Sequence, residues 1–155
     1  MDVTVRQMLI EDAPVASELV KRVFEGFVKP DLEPGGWEAL CIYLDPPAFA
    51  QRLGLDHIVL LAEVDGVTAG LAEIRHMQHV SLLVVDHRFF GKGIGRRLLA
   101  EAIDRCRTCD TELKQVTVHA SRYAIGFYER RGFKALSDEL VKDGVRFTPM
   151  AIDFD

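Results

Sequence analysis

The stretch FFGKGIGRRLL, residues 89–99, sets glycines at Gly91, Gly93 and Gly95 among the cations Lys92, Arg96 and Arg97. Alternating glycines strip Cβ atoms from a short loop, so a second body can approach its backbone closely. The apolar run HVSLLVVD (79–86) precedes the loop, and Ile94, Leu98, Leu99, Ala102, Ile103 and Cys106 stripe one face of a helix after it. The first N–H groups of such a helix lack partners and lie at the positive end of its dipole. Strand, loop and helix therefore make an anion site, with phosphate or pyrophosphate as the natural occupant.

Other phosphate-binding patterns fit less well. A nucleotide-hydrolase loop requires G-x-x-x-x-G-K-S/T, which is absent. A dinucleotide turn requires G-x-G-x-x-G, but Arg96 stands at the last position and the next strand ends at His119 rather than at an acidic residue. A merely tight turn has no need of three alternating glycines. CRTC (106–109) has redox or metal spacing, yet one pair at a helix end does not complete a zinc site. No metal site is expected, and the thiols are read as surface groups with Cys41 buried.

The elements that position the loop are read from periodicity. VTVRQML (3–9) alternates as a strand, and Asp12 is read as the N-cap of an amphipathic helix reaching about residue 28, with Pro14 in its first turn. Residues 29–36 form a loop, and 37–54 one or two short helices broken at Pro46 and Pro47. Residues 57–64 and 67–76 are strands joined by an Asp65-Gly66 turn. The run 79–86 reads as a strand buried on both faces. After the glycine-loop helix come a strand at 113–120, a helix at 121–133 opened by Ser121 and closed by Gly132, and two last strands around Asp143-Gly144.

Composition bounds the function. The 155 residues carry 48% hydrophobic and 28% charged side chains, enough for one core, with a formal charge of -5. That balance argues against a nucleic-acid partner. No apolar run approaches membrane-spanning length, the first residues do not resemble a signal peptide, and an odd cysteine count fits a reducing cytoplasm.

Two segments resemble the GCN5-related N-acetyltransferase (GNAT) superfamily. VVDHRFFGKGIGRRLL resembles its acyl-CoA-binding pattern Gln/Arg-x-x-G-x-G/A, with Gly93 and Gly95 at the small positions, Gly91 in the extended form and Phe90 where Gln or Arg is usual. SRYAIGFYERRGF resembles N-x-x-A-x-x-x-Y-E-x-x-G-F, matching at Ala124, Tyr128, Glu129, Gly132 and Phe133, with Ser121 replacing the Asn. HVSLLVVD, GKGIG and DGVRFTPM resemble a bacterial branch of unassigned substrate. The resemblance implies an α+β fold, a central mixed sheet flanked by helices, and one N-acetyltransferase domain over residues 1–155. It implies acetyl-CoA as cofactor and direct attack by an amine of a small molecule or peptide in a ternary complex.

The same resemblance assigns residues. Cofactor contacts fall on Leu83, Val84 and Val85, on the loop from Phe90 through Gly91, Lys92, Gly93, Ile94 and Gly95 to Arg96, and on Ser121, Ala124 and Tyr128. The Val85 N–H polarises the thioester carbonyl, Leu83 meets the pantetheine arm and Tyr128 protonates the leaving thiolate. The family's base lies eleven positions before the leading Gln/Arg, which is His79 here, and histidine takes a proton near neutral pH. Glu73 is the runner-up. Trp37 and Tyr43, with Phe49 nearby, fall in the helical stretch that covers the acceptor, so Trp37, Tyr43 and His79 are the expected substrate contacts. Acetyl-CoA and an amine are the expected partners, with a homodimer compatible. The alternative is a catalytically silent acyl-CoA sensor: Tyr128 favours the enzyme, the departures at Phe90 and Ser121 the sensor.

Overall fold

The computed structural model describes residues 2–155. Its elements run β1 (Val3–Gln7), α1 (Ala13–Phe27), α2 (Gly36–Leu44), α3 (Pro46–Arg52), β2 (His57–Val64), β3 (Val67–Arg75), β4 (His79–Val85), α4 (Ile94–Cys109), β5 (Gln115–Ala120), α5 (Ile125–Arg130), β6 (Lys134–Ala135), β7 (Leu140–Lys142) and β8 (Val145–Asp153). The Asp65-Gly66 and Asp143-Gly144 turns have positive φ at both residues, as two-residue hairpins with right-twisted strands require. Pro46 opens α3 directly after α2 ends at Leu44, because a proline cannot continue the preceding helix.

The strands form one mixed sheet in the order β1-β2-β3-β4-β5-β8-β6, with β7 paired to β8. Only β4 and β5 run parallel, since α4 crosses over between them. Helix α4 packs one face through Ile94, Leu98, Leu99, Ala102 and Cys106, with Tyr128 of α5 in the same core. Helices α1, α2 and α3 pack the other, around Leu19, Val20, Leu44, Phe49, Leu61 and Leu71.

Two features of β4 shape everything downstream. Its ladder to β5 covers only His79–Thr117 and Val80–Val118, after which the two strands part. Its ladder to β3 slips at Ser81, because Glu73 faces Leu82 while Ile74 faces Val80. The extra residue is a β-bulge, and it reverses which side chains face which layer. Val80 enters the α4 core, whereas beyond the bulge Leu82 and Val84 enter the α1–α3 core.

Several expectations are corrected here. β4 is not buried on both faces: Ser81, Leu83 and Val85 remain half-buried because β5 has left that side. Asp12 does not cap α1. Its carboxylate turns back to accept from the Leu9 amide at 2.8 Å and to pair with Arg6. α5 starts at Ile125 rather than at Ser121, and a short β6 adds a strand before the last hairpin. Cys106 is the core thiol, whereas Cys41 is half-buried, so the expected placement of those two is reversed. The α4 stripe carries Cys106 inward.

Candidate active site

Where β4 and β5 part, a cavity of about 360 Å³ opens. Leu83, Ser121, Ala124 and Tyr128 line it, as do Tyr43, Arg75, His79, Ser81, His119, Lys142, Asp143, Arg146 and Phe147. Tyr128 belongs to the α4-side core, while Thr117, the partner of His79, sits between the inward residues Val116 and Val118 and so faces the α1–α3 layer. The gap therefore passes through the sheet and is reachable from both layers.

Backbone direction follows from one contact. The Asp86 amide donates to Ala69 on β3 at 2.8 Å. In an extended strand alternate amides point to opposite sides, so the Leu83 and Val85 N–H groups face the gap left by β5. The Asp86 carboxylate is fully buried, accepts from the Arg88 amide at 2.9 Å and pairs with Arg88 and Arg22. The Arg88 guanidinium, with Arg22 beyond it, holds that carboxyl far below the usual carboxylate range. This cluster ties the β4–α4 connection to α1.

The glycine loop follows. Gly91 and Gly93 have φ of 79° and 75°, the left-handed region that favours glycine. A Cβ at Gly91 would meet nothing within 4 Å, and one at Gly93 only the Arg96 guanidinium at 3.7 Å. Among the described residues, no acceptor takes the amides of residues 91–96. Lys92 and Arg96 have no carboxylate partner there either, whereas Arg97 turns away to Glu101 and the Val3 carbonyl. An open cradle of unpaired amides beside two cations fits a pyrophosphate. Gly95 serves packing instead, since a Cβ there would sit 3.5 Å from both Phe127 and Val85. Phe90 is exposed, its ring 5.8 Å from Phe27, which itself stacks on Tyr123 at 4.6 Å. The end of α1 thus bridges the loop and the turn before α5. Val84 differs from expectation: its side chain is buried in the α1–α3 core, because the bulge has turned it there.

Tyr128 is 4% exposed, and among the described residues its hydroxyl has no hydrogen-bond partner. Burial pushes its pKa well above the usual phenol value, so it stays protonated. His79 Nδ1 lies 2.7 Å from the Thr117 hydroxyl, and its ring meets His119 edge-on at 4.5 Å. His119 stacks on Phe147 at 4.1 Å. Burial first, then His119 and Arg75, push His79 down to about 4, so the imidazole is neutral at physiological pH.

Glu73 does not reach the cavity. It is fully buried and accepts from Arg52 at 2.6 Å, Tyr43 at 2.8 Å and Ser81 at 2.9 Å. Both carboxylate oxygens are occupied inside the α1–α3 layer. Trp37 also lies outside the cavity, with Lys29 Nζ 5.0 Å from its ring. Ala39, Leu40 and Tyr43 form the cavity-facing side of α2, and two residues back from Ala39 is ~200° around a helix. Phe49 is core. Sequence reasoning did not single out Arg75, Thr117, His119, Lys142 or Phe147 for the site. The pairing of β3, β4, β5, β7 and β8 gathers them, and no local pattern signals that.

A strand-loop-helix anion cradle beside a parted parallel pair suits a phosphate-bearing cofactor with room for a second reactant in the gap. Residues 28–154 match the model of the acetyltransferase (GNAT) domain, and the chain belongs to that family of N-acetyltransferases, whose cofactor is acetyl-CoA. It is similar to a GCN5-related N-acetyltransferase from Rhodopseudomonas palustris, with 25% identity, a TM-score of 0.82 and coverage of 99% of this chain and 97% of that one. The PaiA N-acetyltransferase of Thermoplasma acidophilum, solved in complex with coenzyme A, shares the fold at 20% identity and a TM-score of 0.79, covering 99% and 100%. So does yncA of Salmonella typhimurium, solved with its cofactor acetyl-CoA, at 21% identity and 0.69, covering 100% and 95%. A search of curated proteins returned no significant match.

Proposed function

We propose that this protein acetylates the amine of a small molecule or peptide by direct transfer from acetyl-CoA, as one N-acetyltransferase domain. The observation that carries the reading is the parting of β4 from β5 with Tyr128 on one face of the gap and neutral His79 on the other. When bound, acetyl-CoA supplies a thioester that a free amine can attack.

The chain's residues divide the work. Amides 91–96 with Lys92 and Arg96 would hold the pyrophosphate, and Leu83, Ser121 and Ala124 would line the path of the arm. Of the two N–H groups aimed into the gap, that of Leu83 rather than that of Val85, which packs against the glycine loop, donates to the carbonyl oxygen as it gains charge. With Nδ1–H donating to Thr117, His79 keeps a lone pair on Nε2 and accepts the proton of the acceptor ammonium. Tyr128, kept protonated by burial, delivers a proton to the departing sulfur. Glu73 anchors Arg52 and Tyr43 beneath the site and transfers no proton.

Calorimetric titration with acetyl-CoA, paired with thiol release over a panel of amines, tests the reading. Amine-dependent release of free CoA is expected. Binding of acetyl-CoA without release from any amine would leave a sensor in place of an enzyme.

A further inference from the structure

Arg75, half-buried, and Lys142, exposed, line the cavity, and among the described residues neither has a carboxylate partner. The third cation there, Arg146, is held by Glu33 and approaches Glu139 at 3.8 Å, and Asp143 is the single carboxylate of the lining. A chain of formal charge -5 thus lines its central cavity with three cations against one carboxylate, two of the three having no ion-pair partner among the described residues. Arg75 lies beside the histidines as the register partner of His79 across β3 and β4, with Thr117 completing the row, and the charge of Lys142 is felt at His119. Residues paired in register project to the same face with Cα atoms about 5 Å apart.

These cations are distant from the pyrophosphate cradle. His79 starts β4, Val85 ends it, and the glycine loop lies beyond. Six residues of strand span ~20 Å, so Arg75 and Lys142 serve another ligand. A purely cationic acceptor would meet repulsion there. An acceptor that also carries an anion would be held by a guanidinium able to grip carboxylate or phosphate at two points. The same field disfavours the ammonium form of its amine, which helps the proton leave.

We infer that the acceptor is an amine bearing an anionic group, a carboxylate or phosphate, only a few bonds from the reacting nitrogen, with Arg75 and Lys142 as its anchors. This rests on the acetyltransferase reading above and names the substrate class of that site.

The test compares matched acceptors: L-alanine with ethylamine, L-phenylalanine with phenethylamine, and phosphoethanolamine with ethanolamine, by thiol release from acetyl-CoA. At least one anionic member should exceed its neutral counterpart about tenfold or more in kcat/KM, and which one does separates carboxylate from phosphate. Arg75→Gln should lower that ratio by about ten- to a hundredfold, and Lys142→Gln should lower it less. Melting curves verify that both variants fold, which two side chains outside the core permit. If neutral amines are acetylated as well as anionic ones, or the ratio survives both substitutions, the inference falls while the acetyltransferase reading stands. If no amine is acetylated although acetyl-CoA binds, both fall.

Discussion

Replacing Glu73 by Gln separates a structural carboxylate from a catalytic one. Its side chain is 0% exposed and that of Arg52 is 9%, so the substitution removes one half of a buried ion pair and strands the other. Arg52 would keep its bond to the Tyr43 carbonyl at 2.7 Å and its stacking on the Tyr43 and Phe49 rings at 3.7 and 4.6 Å. Its Nη2 already has no acceptor, so nothing else compensates the charge. Breaking such a pair costs about 3–5 kcal/mol. At ~2–4 °C per kcal/mol for a chain of this size, the melting temperature should fall by ~6–20 °C. The gentler route is to remove both charges. Arg52→Met with Glu73→Gln leaves acceptors for Tyr43 and Ser81 and no orphaned cation, so its loss should fall short of the summed single losses by ~1 kcal/mol or more. The assay is urea and thermal unfolding of the two single variants and the double, with kcat measured well below each transition. The folded Glu73→Gln protein should keep kcat within about tenfold of the parent, less than removal of a general base commonly costs. A variant with an unshifted melting temperature and a loss of ~10²-fold or more in kcat would refute the reasoning and make Glu73 the base.

His79→Ala should lose about 10²–10⁴-fold in kcat with acetyl-CoA affinity intact, measured by steady-state kinetics and calorimetry. In the parent, the acid limb of the kcat/KM profile should fall at about pH 4 rather than near the ordinary histidine value, and should be absent from that variant. The unfolded chain takes up this proton near 6.5 while the native state refuses it down to about 4, so stability declines as pH falls through that window. His79→Ala should flatten the decline in melting temperature. Tyr128→Phe should lower kcat and kcat/KM together without weakening acetyl-CoA binding, because a proton donor acting only in the transition state contributes to both alike; unchanged turnover would reduce Tyr128 to packing. Lys92→Gln combined with Arg96→Gln should raise the Kd for CoA about tenfold or more, read by calorimetry, and steepen no stability loss, since both side chains are exposed.

Local physics carried a large share of this protein. The glycine loop was legible because left-handed backbone at Gly91 and Gly93 is a demand on single residues, and only glycine meets it without strain. The two hairpin turns, the stripe of α4, the break before Pro46 and the Tyr128 motif were legible for the same reason: each is written within a few neighbouring positions. What stayed hidden depends on partners far away in the chain. Nothing near Glu73 in sequence announces Arg52, 21 residues away, or Tyr43, 30 away, closing over its carboxylate. Cys106 and Cys41 exchanged expected places because burial is a property of the layer beneath a helix. Val84 turned from the gap because one bulge residue, Ser81, reversed the alternation of the strand around it. The cavity lining draws Arg75 from β3 and Lys142 from β7, two residues that come to one cavity only after the sheet has assembled. Sequence alone determined the backbone's turns and the glycine-rich loop, since those are set by steric limits on adjacent residues. The tertiary structure alone decided which titratable groups face the gap and with what charge, because burial and Coulomb fields arise from chain segments that meet only in the folded sheet.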